Sequence, residues 1–194
     1  MQEQIKQMMS ESAETKVTAK VLSGEIEESI KLIIGAFKRN RKILLAGNGG
    51  SASQASHIAA EFIGRYKIER RGLPAIALTC DTSVITAWSN DYGYNTLFQR
   101  QIEALGQEGD IFISFSTSGN SENLIKAIES AKGKKIITIS LLGKNGGKMK
   151  GLSDLDIIVP SDNTPRIQEV HLMIMHIVCE LVDEKLFGKG NKNA

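Results

Sequence analysis

The sequence has few cysteines, prolines and aromatic residues, and it contains no long apolar run. Two cysteines and three prolines occur among 194 residues, and aromatic residues make up 5%. Cys80 and Cys179 stand in apolar contexts without CxxC spacing, which predicts two buried thiols in a reducing cytoplasm. No apolar run reaches the roughly 20 residues that a membrane span requires, and the polar N-terminus lacks a signal-peptide core. We therefore expect a cytoplasmic protein without a membrane partner.

An excess of charge of one sign is also missing. The chain has 24 basic and 22 acidic residues, which give a net charge of +2. This balance argues against nucleic acid as a main partner. Hydrophobic residues make up 41% of the chain and charged residues 24%, which is typical of a globular domain that buries its own core.

Apolar runs alternate with helical patterns along most of the chain. This alternation predicts an α/β fold, a three-layer αβα sandwich with a five-stranded parallel sheet covered on both faces. The strands are expected near residues 43–45, 75–79, 110–115, 135–141 and 155–159. Two N-terminal helices over residues 1–40 precede the sheet domain of residues 41–187, and residues 188–194 are expected to be a disordered tail.

The two predicted N-terminal helices carry more apolar surface than one face of a sheet needs. Apolar stripes run from Ile5 to Val21 and from Ile26 to Phe37, and Ser23-Gly24 is expected to break the helix between them. The stripes predict that these helices pack on the domain and also in an oligomer, a tetramer with helices at its centre.

A glycine-rich turn follows the first predicted strand and leads into a helix. The turn, residues 47–51, consists of Gly47, Asn48, Gly49, Gly50 and Ser51. A helix that starts after such a turn directs backbone N–H groups and the positive end of its dipole at one point, which suits a phosphate. The same residues, up to Ala52, also fit the dinucleotide fingerprint G-x-G-x-x-A. That alternative takes Asp81 as the ribose-binding acid and predicts NAD binding.

A second loop of this kind, residues 116–121, follows the third predicted strand. It holds four hydroxyl side chains, those of Ser116, Thr117, Ser118 and Ser121. Such a loop ahead of a helix can hold a phosphate, although Ser and Thr are also favoured as ordinary N-caps. Ligands of open α/β sheets bind at the carboxyl edge. Two such loops at that edge favour a binding site over a capping cluster, and they count against the dinucleotide alternative.

Side chains suited to acid–base or metal chemistry stand on two predicted helices. His57 and Glu61 are four residues apart, so they lie on one face of the helix after the glycine turn. Gln168 and His176 lie two turns apart on the last predicted helix and can also face the same way. His171 points elsewhere, and we expect it to be structural or interfacial.

Two further polar segments have less specific patterns. The basic segment of residues 65–71 is expected to be a solvated loop, with attraction of an anionic substrate as the alternative. Asp81 or Thr82 is expected to cap the next helix, which should end before a polar turn that contains Asn90 and Asp91.

Several motifs together resemble the SIS (sugar isomerase) family and, within it, the isomerases of sedoheptulose 7-phosphate. They are GNGGSA at 47–52, His57-x-x-x-Glu61, GRY at 64–66, NDYG at 90–93, STSGNS at 116–121, VPSD at 159–162, and RIQEVH at 166–171 with His176. The resemblance implies the SIS fold and a homotetramer with active sites at subunit interfaces. It implies conversion of sedoheptulose 7-phosphate to D-glycero-D-manno-heptose 7-phosphate, for the heptose of lipopolysaccharide or capsule.

The resemblance also implies the residues of the site. Zinc ligands would be His57, Glu61, Gln168 and His176. Substrate contacts would fall on Asn48, Gly49, Gly50, Ser51, Glu61, Asn90, Asp91, Ser116, Thr117, Ser118, Ser121 and Gln168. One Zn²⁺ per subunit is expected, and it should be exchangeable because an amide is a weak ligand.

The expected reaction runs through an enediol. Glu61 is assigned as the base and His176 as its acid–base partner, since histidine changes protonation near neutral pH. The phosphate is expected on residues 116–121 and the polar groups of the sugar on residues 48–51. Two alternatives stay open: a non-enzymatic SIS protein that binds the replication initiator, and a sugar-phosphate-binding regulatory domain. The complete set of acid–base and ligand residues favours the enzyme, because a binding module does not need it.

Overall fold

The computed structural model describes residues 1–188 of the chain. Its helices are α1 (Gln2–Thr18), α2 (Ser23–Lys38), α3 (Gly50–Ile63), α4 (Thr82–Tyr92), α5 (Leu97–Leu105), α6 (Glu122–Gly133) and α7 (Thr164–Phe187). Its strands are β1 (Ile43–Gly47), β2 (Ala75–Ala77), β3 (Ile111–Ser116), β4 (Ile137–Leu142) and β5 (Leu155–Ile158). Short 3-10 turns lie at Ala19–Leu22, Tyr94–Thr96 and Gly147–Met149. Apart from Gly188, the predicted disordered tail lies outside the described residues.

The five strands form one parallel sheet in the order β2-β1-β3-β4-β5. Successive residues of a strand face opposite helix layers: Leu45 packs with α2, α3 and α7, whereas Leu44 packs with α5 and α6. Because both faces are covered, the central strands β1, β3 and β4 are buried along almost their whole length. The predicted three-layer α/β fold with five parallel strands is confirmed.

The order of the strands reverses between β1 and β3. These two strands are neighbours, but the chain leaves β1 towards β2 on one side and leaves β3 towards β4 on the other. Such a reversal opens a crevice outside the carboxyl ends of the two strands, where ligands of open α/β sheets bind. Gly47 lies in register with Phe115. The glycine turn and the hydroxyl loop, residues 116–121, therefore begin side by side at this crevice.

The N-terminal helices differ in how far the domain covers them. Helix α2 buries an apolar stripe that includes Ile33 and Phe37, whereas α1 has no buried residue. The predicted break at Ser23-Gly24 is wrong, because both residues lie in the first turn of α2 and the break is the 3-10 turn before them. Ala19 and Leu22 are buried in that turn. Packing of Ala19 and Leu22 decides where the break between α1 and α2 lies, since glycine in a helix costs only about 1 kcal/mol.

The two cysteines occupy different environments. Cys179, on α7, is buried as predicted, and burial raises the pKa of its thiol. The prediction of a buried Cys80 is wrong, because this residue is exposed. Strand β2 is an edge strand that ends at Ala77, so Cys80 lies beyond the sheet despite its apolar neighbours in sequence.

None of the helices within residues 1–188 combines the length and the apolar character needed to cross a bilayer.

Candidate active site at the carboxyl edge of the sheet

The glycine turn brings the backbone close to the start of α3. A Cβ atom on Gly47 would lie 2.6 Å from the backbone oxygen of Ser51, and Gly49 has a positive φ of 56°. These two positions therefore require glycine. A Cβ atom on Gly50 would lie 2.6 Å from Nε2 of Gln168, so the missing side chain makes room for the amide of a predicted site residue on α7.

The hydroxyl loop is compact and held largely by its own side chains. Ser116 Oγ accepts the N–H of Gly119 at 3.1 Å and lies 3.2 Å from Ser121 Oγ. Ser118 Oγ accepts the N–H of Asn120 at 3.2 Å. Ser121 is the residue before α6, but its side chain caps no N–H of the helix. A plain capping cluster does not account for this arrangement.

Asn120 joins the hydroxyl loop to the segment between β4 and β5. Its side-chain nitrogen donates to the carbonyl of Ser118 at 2.8 Å, and its oxygen accepts the N–H of Lys148 at 3.1 Å. A Cβ atom on Gly119 would lie 1.9 Å from the carbonyl oxygen of Gly146. The loop is thus packed tightly against its neighbour, and Asn120 has a structural role that the sequence analysis did not assign.

Three of the four predicted zinc ligands meet between α3 and α7. We call His57, Glu61 and His176 the histidine–glutamate group. Nε2 of His57 lies 3.1 Å from Nε2 of His176 and 3.4 Å from Oε1 of Glu61. One ligand atom from each of the three residues falls within 4.8 Å of the others. A tetrahedral Zn²⁺ with bonds of about 2.0–2.1 Å separates its ligand atoms by about 3.4 Å, so the group fits such an ion.

The fourth predicted ligand, Gln168 on α7, lies beside Gly50 at the start of α3. Its side chain packs on Gly50, and its backbone oxygen accepts the Nε2–H of Gln54 at 2.6 Å. The structure therefore places Gln168 beside the glycine turn.

The basic segment of residues 65–71 packs on α7 beside the histidine–glutamate group. The ring of Tyr66 stacks on the ring of His176, with centroids 5.7 Å apart. Lys67 Nζ lies 2.7 Å from a carboxylate oxygen of Glu180, and this hydrogen bond raises the pKa of Lys67. Loss of hydration raises the pKa of the Tyr66 hydroxyl.

Arg70 contradicts the prediction that this segment is a solvated loop. Its side chain is 0% exposed and lies 2.6 Å from Asp183, whose side chain is 1% exposed. The guanidinium also donates to the backbone oxygens of Glu61, Phe62 and Gly64 at 2.9–3.2 Å. The guanidinium thus caps backbone oxygens at the C-terminal end of α3, the helix that carries His57. Asp183 stands among other charged residues near the end of α7, Glu180, Glu184 and Lys185, so the sequence carries no signal that it is a buried partner.

Comparisons with known proteins show the family of the chain. A model of the SIS domain family matches residues 5–143. The chain is 50% identical over 193 residues to a phosphoheptose isomerase from Sulfurimonas denitrificans, and the match covers 98% of this chain and 99% of that relative. The chain belongs to the phosphoheptose isomerases of the SIS family.

Two solved structures of this family have the same fold. The phosphoheptose isomerase from Neisseria gonorrhoeae is 39% identical, with a TM-score of 0.88 over 94% of this chain and 98% of that one. The phosphoheptose isomerase from Francisella tularensis is 35% identical, with a TM-score of 0.91 over 94% and 97% of the two chains. The family expected from the sequence motifs is confirmed.

Asn90 and Asp91 are not joined to the other predicted site residues. The predicted polar turn is wrong, because α4 continues through both residues to Tyr92. Asn90 Nδ2 donates to Asp91 Oδ1 at 2.8 Å, and both side chains are exposed. The ring of Tyr92 stacks on Trp88 one turn earlier, which favours the longer helix.

The other end of α4 bears on the dinucleotide alternative. Asp81 caps the helix as predicted, and its Oδ1 accepts the N–H of Val84 at 3.0 Å. The carboxylate is thus occupied by a local structural bond. Together with the family match, this leaves the dinucleotide interpretation without support.

His171 lies in the interior, in agreement with the structural role considered for it. The side chain is fully buried, and Nε2 lies 3.0 Å from the carbonyl oxygen of Leu142. Burial disfavours the imidazolium and lowers the pKa of His171 to about 4.

Two residues beside Asn48 were missed by the sequence analysis. The amide of Asn48 is hydrogen-bonded to Asn123 of α6 and to the hydroxyl of Tyr94. An asparagine in the first turn of a helix and a tyrosine after a glycine carry no pattern that marks them as part of a site.

Proposed function

We propose that the chain catalyses the isomerisation of sedoheptulose 7-phosphate to D-glycero-D-manno-heptose 7-phosphate. The observation that carries this proposal is the assembly of His57, Glu61 and His176 in a chain whose relatives are phosphoheptose isomerases. A SIS protein that only binds a partner, or a regulatory sugar-phosphate module, has no need of such a group. We therefore favour the enzyme over both alternatives.

The substrate would lie across the crevice between β1 and β3. We assign its phosphate to the hydroxyl loop, where Ser116, Thr117, Ser118 and Ser121 offer hydroxyl groups ahead of α6. Its sugar oxygens are assigned to the glycine turn, from Asn48 to Ser51, and to Gln168 on the facing helix. This arrangement directs the carbonyl end of the sugar towards the histidine–glutamate group.

The proposed reaction transfers protons between two adjacent carbons of the sugar. Glu61 takes a proton from C1 while His176 protonates the carbonyl oxygen at C2, which gives an enediol. Glu61 then returns the proton to C2, and His176 accepts the proton of the C1 hydroxyl, which leaves the aldehyde. The proximity of the Glu61 and His176 side chains supports their action on adjacent atoms of one substrate.

We also propose one exchangeable zinc ion per subunit. The ligands would be His57, Glu61, Gln168 and His176. The spacing of the histidine–glutamate group supports this assignment. When bound, zinc would polarise the carbonyl and the neighbouring hydroxyl. Metal analysis should find one zinc per chain, and His57→Ala should lower that content; chelation should lower activity reversibly.

The proposed assembly is a homotetramer with active sites at subunit interfaces. Helix α1 supports it, because Met9 is 68% exposed and Val21, in the turn that follows, is 72% exposed. Residues 1–40 would then pack both on the domain of residues 41–187 and between subunits. Asn90 and Asp91 remain proposed substrate contacts, exposed for a site completed by a neighbouring subunit. A clean monomer by light scattering at micromolar concentration would refute this assembly.

The proposed setting is the cytoplasm, where the product would supply heptose for lipopolysaccharide or capsule. This part rests on the family assignment.

The function is tested by incubating the purified, zinc-loaded protein with sedoheptulose 7-phosphate and measuring the aldose product. We expect steady formation of the heptose 7-phosphate, and none with Glu61→Gln. A protein that binds the sugar phosphate but forms no aldose would support the regulatory alternative and overturn the proposal.

A further inference from the structure

An amide pair spans the crevice between β1 and β3. Nδ2 of Asn48 donates to Oδ1 of Asn123 at 3.0 Å, and Nδ2 of Asn123 donates to Oδ1 of Asn48 at 2.9 Å. The hydroxyl of Tyr94 also donates to Oδ1 of Asn48, at 2.8 Å. Three separate segments of the chain therefore meet at the Asn48 side chain: the glycine turn, the start of α6 and the 3-10 turn before α5.

These bonds decide what Asn48 has left to offer a ligand. An amide oxygen accepts two hydrogen bonds, and both acceptor positions of Asn48 are filled by Asn123 and Tyr94. The amide nitrogen has two hydrogens, and one of them is used by Asn123. The remaining group is a single N–H donor.

The contacts of the amide pair favour this orientation of Asn48. Both side-chain hydrogen bonds of Asn123 go to Asn48, and Asn123 is only 3% exposed, so a turn of either amide alone loses these bonds in the interior. A turn of both amides together would put the NH₂ group of Asn48 where the Tyr94 hydroxyl now donates to its oxygen. If Asn48 were flipped, its NH₂ group would face the Nδ2 of Asn123, and two donors would oppose each other. Asn48 itself is only partly buried, so its free N–H can be reached from the crevice.

We propose that Asn123 and Tyr94 are positioning residues that hold Asn48 as a hydrogen-bond donor to an oxygen of the bound sugar phosphate. The inference rests on the function proposed above and adds two residues to it. Asn123 follows Ser121 by two residues, so the same pair ties the sugar side of the crevice to the hydroxyl loop. The donor acts on the bound sugar before and during the reaction, and its loss should therefore raise KM more than it lowers kcat.

The test uses the full-length zinc-loaded enzyme and the variant Tyr94→Phe. This change keeps the ring, which packs on Phe98, and removes only the hydroxyl. We expect KM for sedoheptulose 7-phosphate to rise about threefold to tenfold, as for the loss of one neutral hydrogen bond, with kcat within about twofold. Asn123→Ala should raise KM further. Tyr92→Phe, whose hydroxyl lies on the exposed end of α4, is the matched control and should leave both constants unchanged.

A double-mutant cycle tells positioning from an independent contact. In an Asn48→Ala background Tyr94 has no amide to orient, so Tyr94→Phe should change KM by less than about twofold. An equal rise of KM in both backgrounds would overturn the inference, as would a fall in kcat without a change in KM. If the wild-type enzyme forms no aldose at all, the proposed function fails, and this inference falls with it. An additive cycle in an active enzyme overturns the inference alone.

Discussion

The hydroxyl loop and the histidine–glutamate group form two halves of one candidate site, but different contacts hold them. The loop is built from six consecutive residues whose hydrogen bonds are mostly local, such as that from the Gly119 N–H to Ser116. The group joins His57 and His176, which lie 119 residues apart in sequence. It exists only because α3 packs beside α7. Arg70 links the same two helices, since its buried guanidinium contacts Asp183 of α7 and donates to backbone oxygens at the end of α3.

This difference suggests that the loop serves in binding and the histidine–glutamate group in proton transfer. A local loop can keep its shape while the rest of the domain adjusts, which suits the binding of a phosphate that does not react. A group assembled from two helices is sensitive to their packing, and this suits proton transfer, which requires defined distances.

The largest effect is expected at the histidine–glutamate group. Glu61→Gln and His176→Gln should each lower kcat by at least about a hundredfold, because each removes a group to which we assign a proton transfer. Substrate affinity, measured by calorimetry, should change little. Near-normal turnover of either variant would show that the role assigned to that residue is wrong.

The buried pair of Arg70 and Asp183 should contribute strongly to stability. Asp183→Asn leaves the Arg70 guanidinium without its buried counter-charge, and we expect the free energy of unfolding to fall by about 3–5 kcal/mol. Urea denaturation measures this change. Glu180, like Asp183, lies on α7, and it forms an exposed pair with Lys67. Glu180→Gln breaks this pair and should change the free energy of unfolding little. Similar losses in the two variants would contradict the special role of the buried pair.

A third effect, the dependence of stability on pH, is expected from His171 in the interior of the domain. The pKa of His171 in the folded chain, about 4, lies below its ordinary value of 6.5, so the unfolded chain binds the proton more readily. Its contribution to stability is complete above pH 6.5 and is lost as the pH falls towards 4. The expected loss is about 3 kcal/mol across that window.

Unfolding by urea at a series of pH values measures this loss. The variant His171→Gln has no such group, and its stability should fall less steeply over the same window. An unchanged slope would show that other groups cause the acid sensitivity.

The smallest effect is expected at the hydroxyl loop. Ser118→Ala and Ser121→Ala should each raise KM for sedoheptulose 7-phosphate about tenfold, since each removes one proposed hydrogen bond to the charged phosphate. Their kcat should stay within about threefold of the wild-type value, in contrast with the variants of Glu61 and His176. Ser130→Ala, at the other end of α6, is the control. A large fall in kcat for the loop variants would break the proposed division.

The same contrast explains how much of the site could be predicted from the sequence. The hydroxyl loop and the spacing of His57 and Glu61 are local patterns. The structure places the loop directly after β3 at the carboxyl edge of the sheet, and it places His57 and Glu61 side by side on α3. The strands were equally accessible because each is a short apolar run. The meeting of His176 with His57 needed the family motifs, since helical spacing places residues on a face but does not say what that face meets.

The errors came from residues whose role depends on distant partners. Arg70 resembles the other basic residues of its segment, and only Asp183 makes it a buried residue. Cys80 follows a predicted strand that ends early at the edge of the sheet. Asn123 acquires its role from Asn48, 75 residues earlier. No local pattern carries such information.

The central claim is that Glu61 moves a proton between C1 and C2, and deuterium incorporation tests it most directly. Glu61 is partly exposed, so the proton it takes should exchange with solvent before it returns to the sugar. The zinc-loaded enzyme is incubated with sedoheptulose 7-phosphate in deuterated water, and the aldose is examined by NMR. We expect deuterium at C2 of the aldose, and neither deuterium nor aldose with Glu61→Gln. Aldose that forms without deuterium would indicate direct hydrogen transfer between the carbons and would contradict the proposed role of Glu61.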